Sequence, residues 1–77
     1  MKAAAPDAET ENLVAAIGQH VRTYRKGCGW NLKMLARSSG VSLGYISLVE
    51  RGETHPSLRV LLALARALGV PLMALLS

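Results

Sequence analysis

Apolar residues recur along the chain at helical spacing, and glycine or polar residues separate the segments in which they recur. One set, spaced by four, four and three residues, predicts one face of a first helix: Leu13, Ile17, Val21 and Tyr24. Gly27 and Gly29 end this helix. No segment alternates apolar and polar residues as a half-buried strand does. The pattern therefore predicts an all-α chain.

Two short helices follow, and capping residues mark their starts. Asn31 and Ser42 have side-chain oxygens that can accept a hydrogen bond from a backbone N–H in the first turn of a helix. Gly40 lies between these two helices and supplies a left-handed turn residue, while Gly52 ends the third helix. The segment 31–52 thus has the pattern of a helix-turn-helix, a unit that places its second helix in the DNA major groove.

A fourth and a fifth helix complete the predicted architecture. Ser57 caps the fourth helix and Gly69 ends it, and its apolar stripe consists of Leu58, Leu61, Leu62, Ala65 and Leu68. Pro71 is suited to the first turn of a short fifth helix over residues 72–76. Five short helices joined by loops of a few residues predict a compact all-α bundle with a helix-turn-helix.

The third helix has two sides when its residues are placed at about 100° intervals. Ile46 and Val49 define the buried side, and Glu50 lies at its edge, where a carboxylate is costly unless a cation pairs with it. Arg25 and Arg22, late in the first helix, are the candidate partners. The opposite side carries the residues that would face DNA bases, namely Leu43, Gly44, Ser47 and Leu48.

The charge distribution favours a polyanionic partner. The formal net charge is +4, and three of the five acidic residues lie within the first eleven. We expect residues 1–10 to be a flexible leader and residues 11–77 to be the DNA-binding domain. From Asn12 onward, eight basic and two acidic residues leave a charge of +6. A basic surface kept for solubility is the alternative. The predicted contacts with DNA phosphates are Asn31, Leu32, Lys33, Arg37, Tyr45, Arg51, Thr54 and His55.

Other classes of protein lack support in this sequence. His20 and His55 have no pair of acidic residues nearby, and Cys28 has no adjacent histidine, so we expect no enzyme, no metal site and no cofactor. A single cysteine excludes an internal disulfide and suits a reducing compartment. The apolar tail is too short to span a bilayer comfortably and contains Arg66. We expect a cytoplasmic protein without a membrane partner.

Several segments resemble the phage Cro/repressor-like helix-turn-helix domains, the XRE family of bacterial regulators. They are IGQHVRTYRK at 17–26, LARSSGVS at 35–42, GYISLVERG at 44–52, PSL at 56–58 and LARALGVPL at 64–72, and together they cover roughly residues 13–76. The resemblance implies a five-helix, lambda repressor-like fold that binds double-stranded operator DNA, usually as a homodimer, and regulates transcription, here as a repressor. It also implies that Arg25 and Glu50 form a buried ion pair.

The chain departs from this family at the positions that would read DNA. Leu32 stands where many relatives carry a glutamine, and Leu43, Gly44 and Leu48 stand where relatives often carry long polar side chains. An apolar surface can contact thymine methyl groups but cannot make bidentate hydrogen bonds to bases. We therefore expect sequence reading to depend on Ser47, Arg51, methyl contacts and DNA shape.

The sequence leaves three pairs of alternatives open. The chain is either a DNA-binding regulator or a protein-interaction module, such as an antitoxin or the partner of another regulator, with Leu32, Leu43 and Leu48 as an apolar docking patch. The apolar tail either closes the monomer core or also forms a dimer contact that would present two third helices about 34 Å apart. The segment around residues 32–47 is also similar to regulators with a C-terminal ligand-sensing cupin domain, so we expect a stand-alone regulator or a fragment of a larger one.

Overall fold

Five helices form the bundle in the computed structural model, which describes residues 7–77. They are α1 (Ala8–Gly27), α2 (Leu32–Ser39), α3 (Leu43–Glu50), α4 (Leu58–Leu68) and α5 (Leu72–Leu76). Residues 7–77 contain no strand, so the predicted all-α, five-helix architecture is confirmed. Within the same range, no helix combines the length and the apolar character needed to cross a membrane.

The first helix begins earlier than the sequence indicated, inside the segment assigned to a leader. Asp7 caps it: the Thr10 backbone N–H donates to Asp7 Oδ1 at 2.8 Å, which holds the pKa of that carboxyl below its ordinary value. Glu9 and Glu11 lie in the first turn, where negative charge is favourable. The acidic residues therefore belong to the helical body, and the formal charge of residues 7–77 is +3. Residues 1–6 of the predicted leader lie outside the described residues.

The buried face of α1 is rotated from the predicted one. Ile17 and Val21 are buried as expected, but Leu13 and Tyr24 are exposed. The face that packs on the bundle consists of Val14, Ile17, Gly18, Val21 and Arg25. A glycine and an arginine occupy two of these five positions, so the face does not look apolar in the sequence. A search for apolar residues alone therefore selects the adjacent face that includes Leu13 and Tyr24.

The fourth and fifth helices close the bundle. α4 begins at the predicted cap Ser57 and ends at Gly69, but Leu58 and Leu62 of its predicted stripe are exposed, while Leu64 is fully buried. α5 packs on α1 and α4, as we expected for the tail. The partly buried ring of His20 contributes to this packing, since Nδ1 donates to the Leu75 carbonyl at 2.9 Å.

One apolar core joins all five helices. α1 packs on α3 and α5, and α2 packs on α3 and α4. The core contains ten buried residues: Ile17, Val21, Leu35, Ile46, Val49, Leu61, Leu64, Ala65, Leu68 and Leu75. Burial of these aliphatic side chains is the main stabilising contribution to a chain of this size, and it fixes α3 between α1 and α2.

Candidate nucleic-acid interface

Helices α2 and α3 and the turn between them form the helix-turn-helix that the sequence predicted. Asn31 Oδ1 accepts from the Met34 backbone N–H at 2.9 Å, and Ser42 Oγ accepts from that of Tyr45 at 3.2 Å, so both predicted N-caps are confirmed. Gly40 has a φ of +76°, in the left-handed region that a side chain strongly disfavours. The left-handed Gly40 and the Ser42 cap thus define the turn between α2 and α3.

The inner face of α3 is held against α1 by close packing. Ile46 and Val49 are buried, as expected, and the backbone of α3 passes directly over Gly18 of α1. A Cβ atom at Gly18 would overlap the Val49 carbonyl oxygen and lie 2.9 Å from that of Glu50. The absence of a side chain at Gly18 therefore sets the distance between the two helices. Gly18 is not among the residues predicted from the sequence, although a glycine inside an otherwise amphipathic helix is a recognisable signal.

An ion pair holds the end of α3 to the end of α1. Arg25 Nε donates to Glu50 Oε2 at 2.7 Å and Arg25 Nη2 donates to Glu50 Oε1 at 3.0 Å, which makes the pair bidentate. Arg25 Nη1 donates to the Trp30 carbonyl at 2.8 Å. The two side chains retain only 10% and 7% of their exposure. Hydrogen bonds to the Glu50 carboxylate raise the pKa of the Arg25 guanidinium above its ordinary value. Of the two candidate partners of Glu50, the structure brings Arg25 to it.

The outer face of α3 is exposed at the start of the helix and partly buried one turn later. Leu43 retains 45% of its exposure, and Gly44 is exposed, with open space where a Cβ atom would be. Ser47 and Leu48 are partly buried. The four residues predicted to face bases therefore divide into an open pair at the start of α3 and a more sheltered pair one turn later.

The residues predicted to contact phosphates are placed unevenly. Asn31, Lys33, Arg37 and Arg51 are exposed, Thr54 is partly buried, and the exposed His55 Nε2 lies 3.0 Å from Glu11 Oε1 of α1. Two others contribute to the core: Leu32 and Tyr45 are partly buried and pack against it. Their side chains are less available than the prediction implied, while the backbone N–H of Leu32 remains in the first turn of α2, where helices lack internal acceptors.

Arg51 is held close to its own helix. Its Nε donates to the Ser47 carbonyl at 3.2 Å, and its Nη1 lies 3.1 Å from Glu53 Oε2. Both partners of this ion pair are well exposed, at 57% and 52% for the two side chains. A phosphate can therefore replace Glu53, but the guanidinium is directed toward the end of α3 rather than its outer face.

This arrangement defines a helix-turn-helix domain, and comparison with known proteins gives the family. The helix-turn-helix family model HTH_3 matches residues 21–75. SlrR, an HTH-type transcriptional regulator of Bacillus subtilis, is 44% identical over 73% of this chain and 38% of its own length. SinR of Bacillus licheniformis, also an HTH-type transcriptional regulator, is 39% identical over 79% of this chain and 56% of its own length. The chain belongs to the Cro/C1-type (XRE) helix-turn-helix family.

A solved structure supports the same assignment. The restriction-modification controller protein C.AhdI from Aeromonas hydrophila is 35% identical and superposes with a TM-score of 0.78, covering 80% of this chain and 94% of C.AhdI. The chain thus matches nearly all of one small controller protein. It spans only 38% and 56% of the lengths of SlrR and SinR.

Proposed function

We propose that this chain acts as a sequence-specific DNA-binding regulator of bacterial transcription and that it inserts α3 into the major groove of operator DNA as a repressor. The observation that carries the proposal is the contrast on α3. Its inner face is fixed by Ile46, Val49 and the Glu50 ion pair, while Leu43 and Gly44 on the outer face are free to meet a partner. The names of SlrR and SinR as transcriptional regulators support this role.

The cations around the helix-turn-helix suit the DNA backbone. Lys33 and Arg37 are exposed on α2, four residues apart, and Arg51 is exposed where α3 ends. The first turn of α2, capped by Asn31, presents backbone N–H groups that favour an anion. We propose that these groups contact phosphates and set the position of α3, without themselves reading sequence. A DNA partner in a bacterium makes the cytoplasm the expected compartment.

A second copy of the chain is the other proposed partner. Leu58 and Leu62 on α4 and Met73 on α5 are exposed apolar side chains on two helices that pack on each other. A two-fold dimer through this surface would cover them and present two α3 helices about one DNA turn apart, roughly 34 Å.

The protein-interaction alternative has weaker support. It requires Leu32, Leu43 and Leu48 to form one apolar docking patch, but Leu32 packs against the core and Leu48 is partly buried. Only Leu43 of the three is exposed. One leucine offers far less area than a specific protein interface requires.

Selection from a random duplex DNA pool tests the proposal. We expect enrichment of a defined sequence, and for a dimer we expect two half-sites about 10 base pairs apart. Affinity for the enriched duplex should fall steeply with salt, because each phosphate contact releases counterions and contributes a slope of about −0.9 in log K against log salt. Absence of enrichment, or a flat salt response, would contradict DNA binding. A single half-site would contradict the dimer alone.

A further inference from the structure

The start of α3 presents an apolar surface that the domain itself does not use. Leu43 is exposed although it is a large aliphatic residue, and an added methyl group at Gly44 would meet no heavy atom within 4 Å. The two residues occupy the first turn of α3, the part of a recognition helix that comes nearest to base edges. We call this surface, formed by Leu43 and Gly44, the apolar tip.

Hydrogen-bonding groups near the apolar tip are already engaged or unsuited to reading a base pair. Ser42 Oγ accepts the Tyr45 backbone N–H. The Arg51 guanidinium bonds the Ser47 carbonyl and Glu53, which directs it away from the start of the helix. The hydroxyl hydrogens of Ser42 and Ser47 can still be donated, but a single hydroxyl bonds to any of several bases. Among the described residues of this face, none offers the paired donors or acceptors that identify guanine or adenine.

One feature of the major groove matches an apolar surface. The thymine C5-methyl group is the apolar group that the four natural base pairs display there, and its position differs between A·T and T·A pairs. Leu43 can pack its methyl groups against it, and the lack of a side chain at Gly44 lets the backbone approach closely. We propose that the apolar tip reads thymine methyl groups, so that the operator carries thymine under the first turn of α3. This inference rests on the proposed DNA-binding function.

The test is the replacement of thymine by uracil, which removes the methyl group and leaves base pairing intact. Duplexes enriched from a thymine-containing random pool are resynthesised with uracil at single positions, and their dissociation constants are compared at one salt concentration. We expect about fourfold weaker binding for each methyl group that the apolar tip buries. We also expect a random pool synthesised entirely with uracil to yield weaker enrichment.

Protein variants locate the effect on α3. Leu43→Ala should remove most of the difference between thymine and uracil. Leu13→Ala is the matched control, because Leu13 on α1 is 46% exposed, against 45% for Leu43, and we expect this variant to retain the difference. Circular dichroism and thermal melting of both variants check that the helical content and the stability of the domain are retained.

The outcomes separate the inference from the function on which it rests. Equal affinity for thymine and uracil duplexes, combined with salt-dependent enrichment of a defined sequence, would overturn methyl reading and leave DNA binding intact. Sensitivity to uracil that Leu43→Ala does not reduce would overturn the role of the apolar tip. Failure to bind any duplex even at low salt would overturn the proposed function and the inference with it.

Discussion

The inner face of α3 and its outer face are held in different ways. On the inner face, the α3 backbone lies against Gly18 and the Glu50 carboxylate is bidentate to Arg25 with little exposure. On the outer face, Gly44 has open space around it, and at the exposed end of α3 the Arg51 pair with Glu53 is more than half exposed. The packed side and the exposed side of α3 are thus each associated with one glycine and one arginine–glutamate pair, in opposite environments.

The comparison shows that a glycine or an arginine–glutamate pair has a different role when it is buried than when it is exposed. A buried ion pair and a glycine under a backbone fix the position of the helix, and changing them alters stability. An exposed ion pair contributes little to stability because water and salt screen it, so its cation is available to a phosphate. Substitutions matched across the two faces therefore separate stability from DNA binding.

Loss of the buried pair should have the largest effect. Glu50→Ala leaves the Arg25 guanidinium buried with only the Trp30 carbonyl as a partner, and we expect a loss of about 3–5 kcal/mol in the free energy of unfolding. Urea denaturation measures it. The matched control is Glu53→Ala, which removes the exposed partner of Arg51 and should cost less than about 1 kcal/mol. Similar losses in both variants would contradict the distinction between the faces.

Adding a methyl group to each glycine should give effects of opposite sign. Gly18→Ala forces the α3 backbone away from α1, and we expect a loss of about 1–3 kcal/mol in unfolding free energy. Gly44→Ala adds a methyl group in open space within a helix, where alanine is favoured over glycine by up to about 1 kcal/mol. Thermal melting of the two variants checks both signs. A stabilised Gly18→Ala variant would show that the two helices are not in contact there.

Removal of the exposed cation should weaken DNA binding without changing stability. We expect Arg51→Ala to lower affinity for enriched and random duplexes alike by about fivefold, roughly the 1 kcal/mol net contribution of a typical hydrogen bond. The salt slope should become shallower by about 1. Arg66→Ala, which removes an exposed cation from α4, is the control and should change neither quantity to this extent. A loss confined to the enriched sequence would instead assign Arg51 to base reading.

The smallest expected effect is an increase in affinity. Glu53 forms an ion pair with the Arg51 guanidinium, the group that we propose binds a phosphate. Its carboxylate also repels the negatively charged DNA backbone. Glu53→Gln should therefore tighten binding to every duplex by about two- to threefold at low salt, an effect of the size of a screened surface charge. Titration of Glu53→Gln in the Arg51→Ala background is the control. There the increase should shrink, and an undiminished gain would show that Glu53 acts on DNA independently of Arg51.

Local signals in the sequence were sufficient for the elements of the helix-turn-helix. The caps Asn31, Ser42 and Ser57 act through hydrogen bonds within three residues, and Gly40 acts through its own backbone angle. Such features depend on neighbours in the chain, so sequence reasoning finds them. Ile46 and Val49 were also identified, because two aliphatic residues three apart define a buried side without reference to other helices.

Features that depend on contacts between helices were harder to find. The buried face of α1 includes Gly18 and Arg25, whose burial is explained only by the α3 backbone and Glu50. Leu64 belongs to the core of α4, whereas Leu58 and Leu62 are exposed, and a helix rich in leucine does not reveal which stripe faces inward. The sequence pattern also does not predict the ion pair between Arg51 and Glu53, which sets the direction of the Arg51 guanidinium.

The central claim is that the outer face of α3 meets DNA while the inner face stays packed. Backbone amide shifts of the ¹⁵N-labelled protein, recorded during titration with the duplex enriched from the random pool, test it most directly. We expect the largest shifts at Leu43, Gly44 and Ser47, with further shifts at the start of α2. Shifts confined to α4 and α5, with those of α3 unchanged, would contradict it.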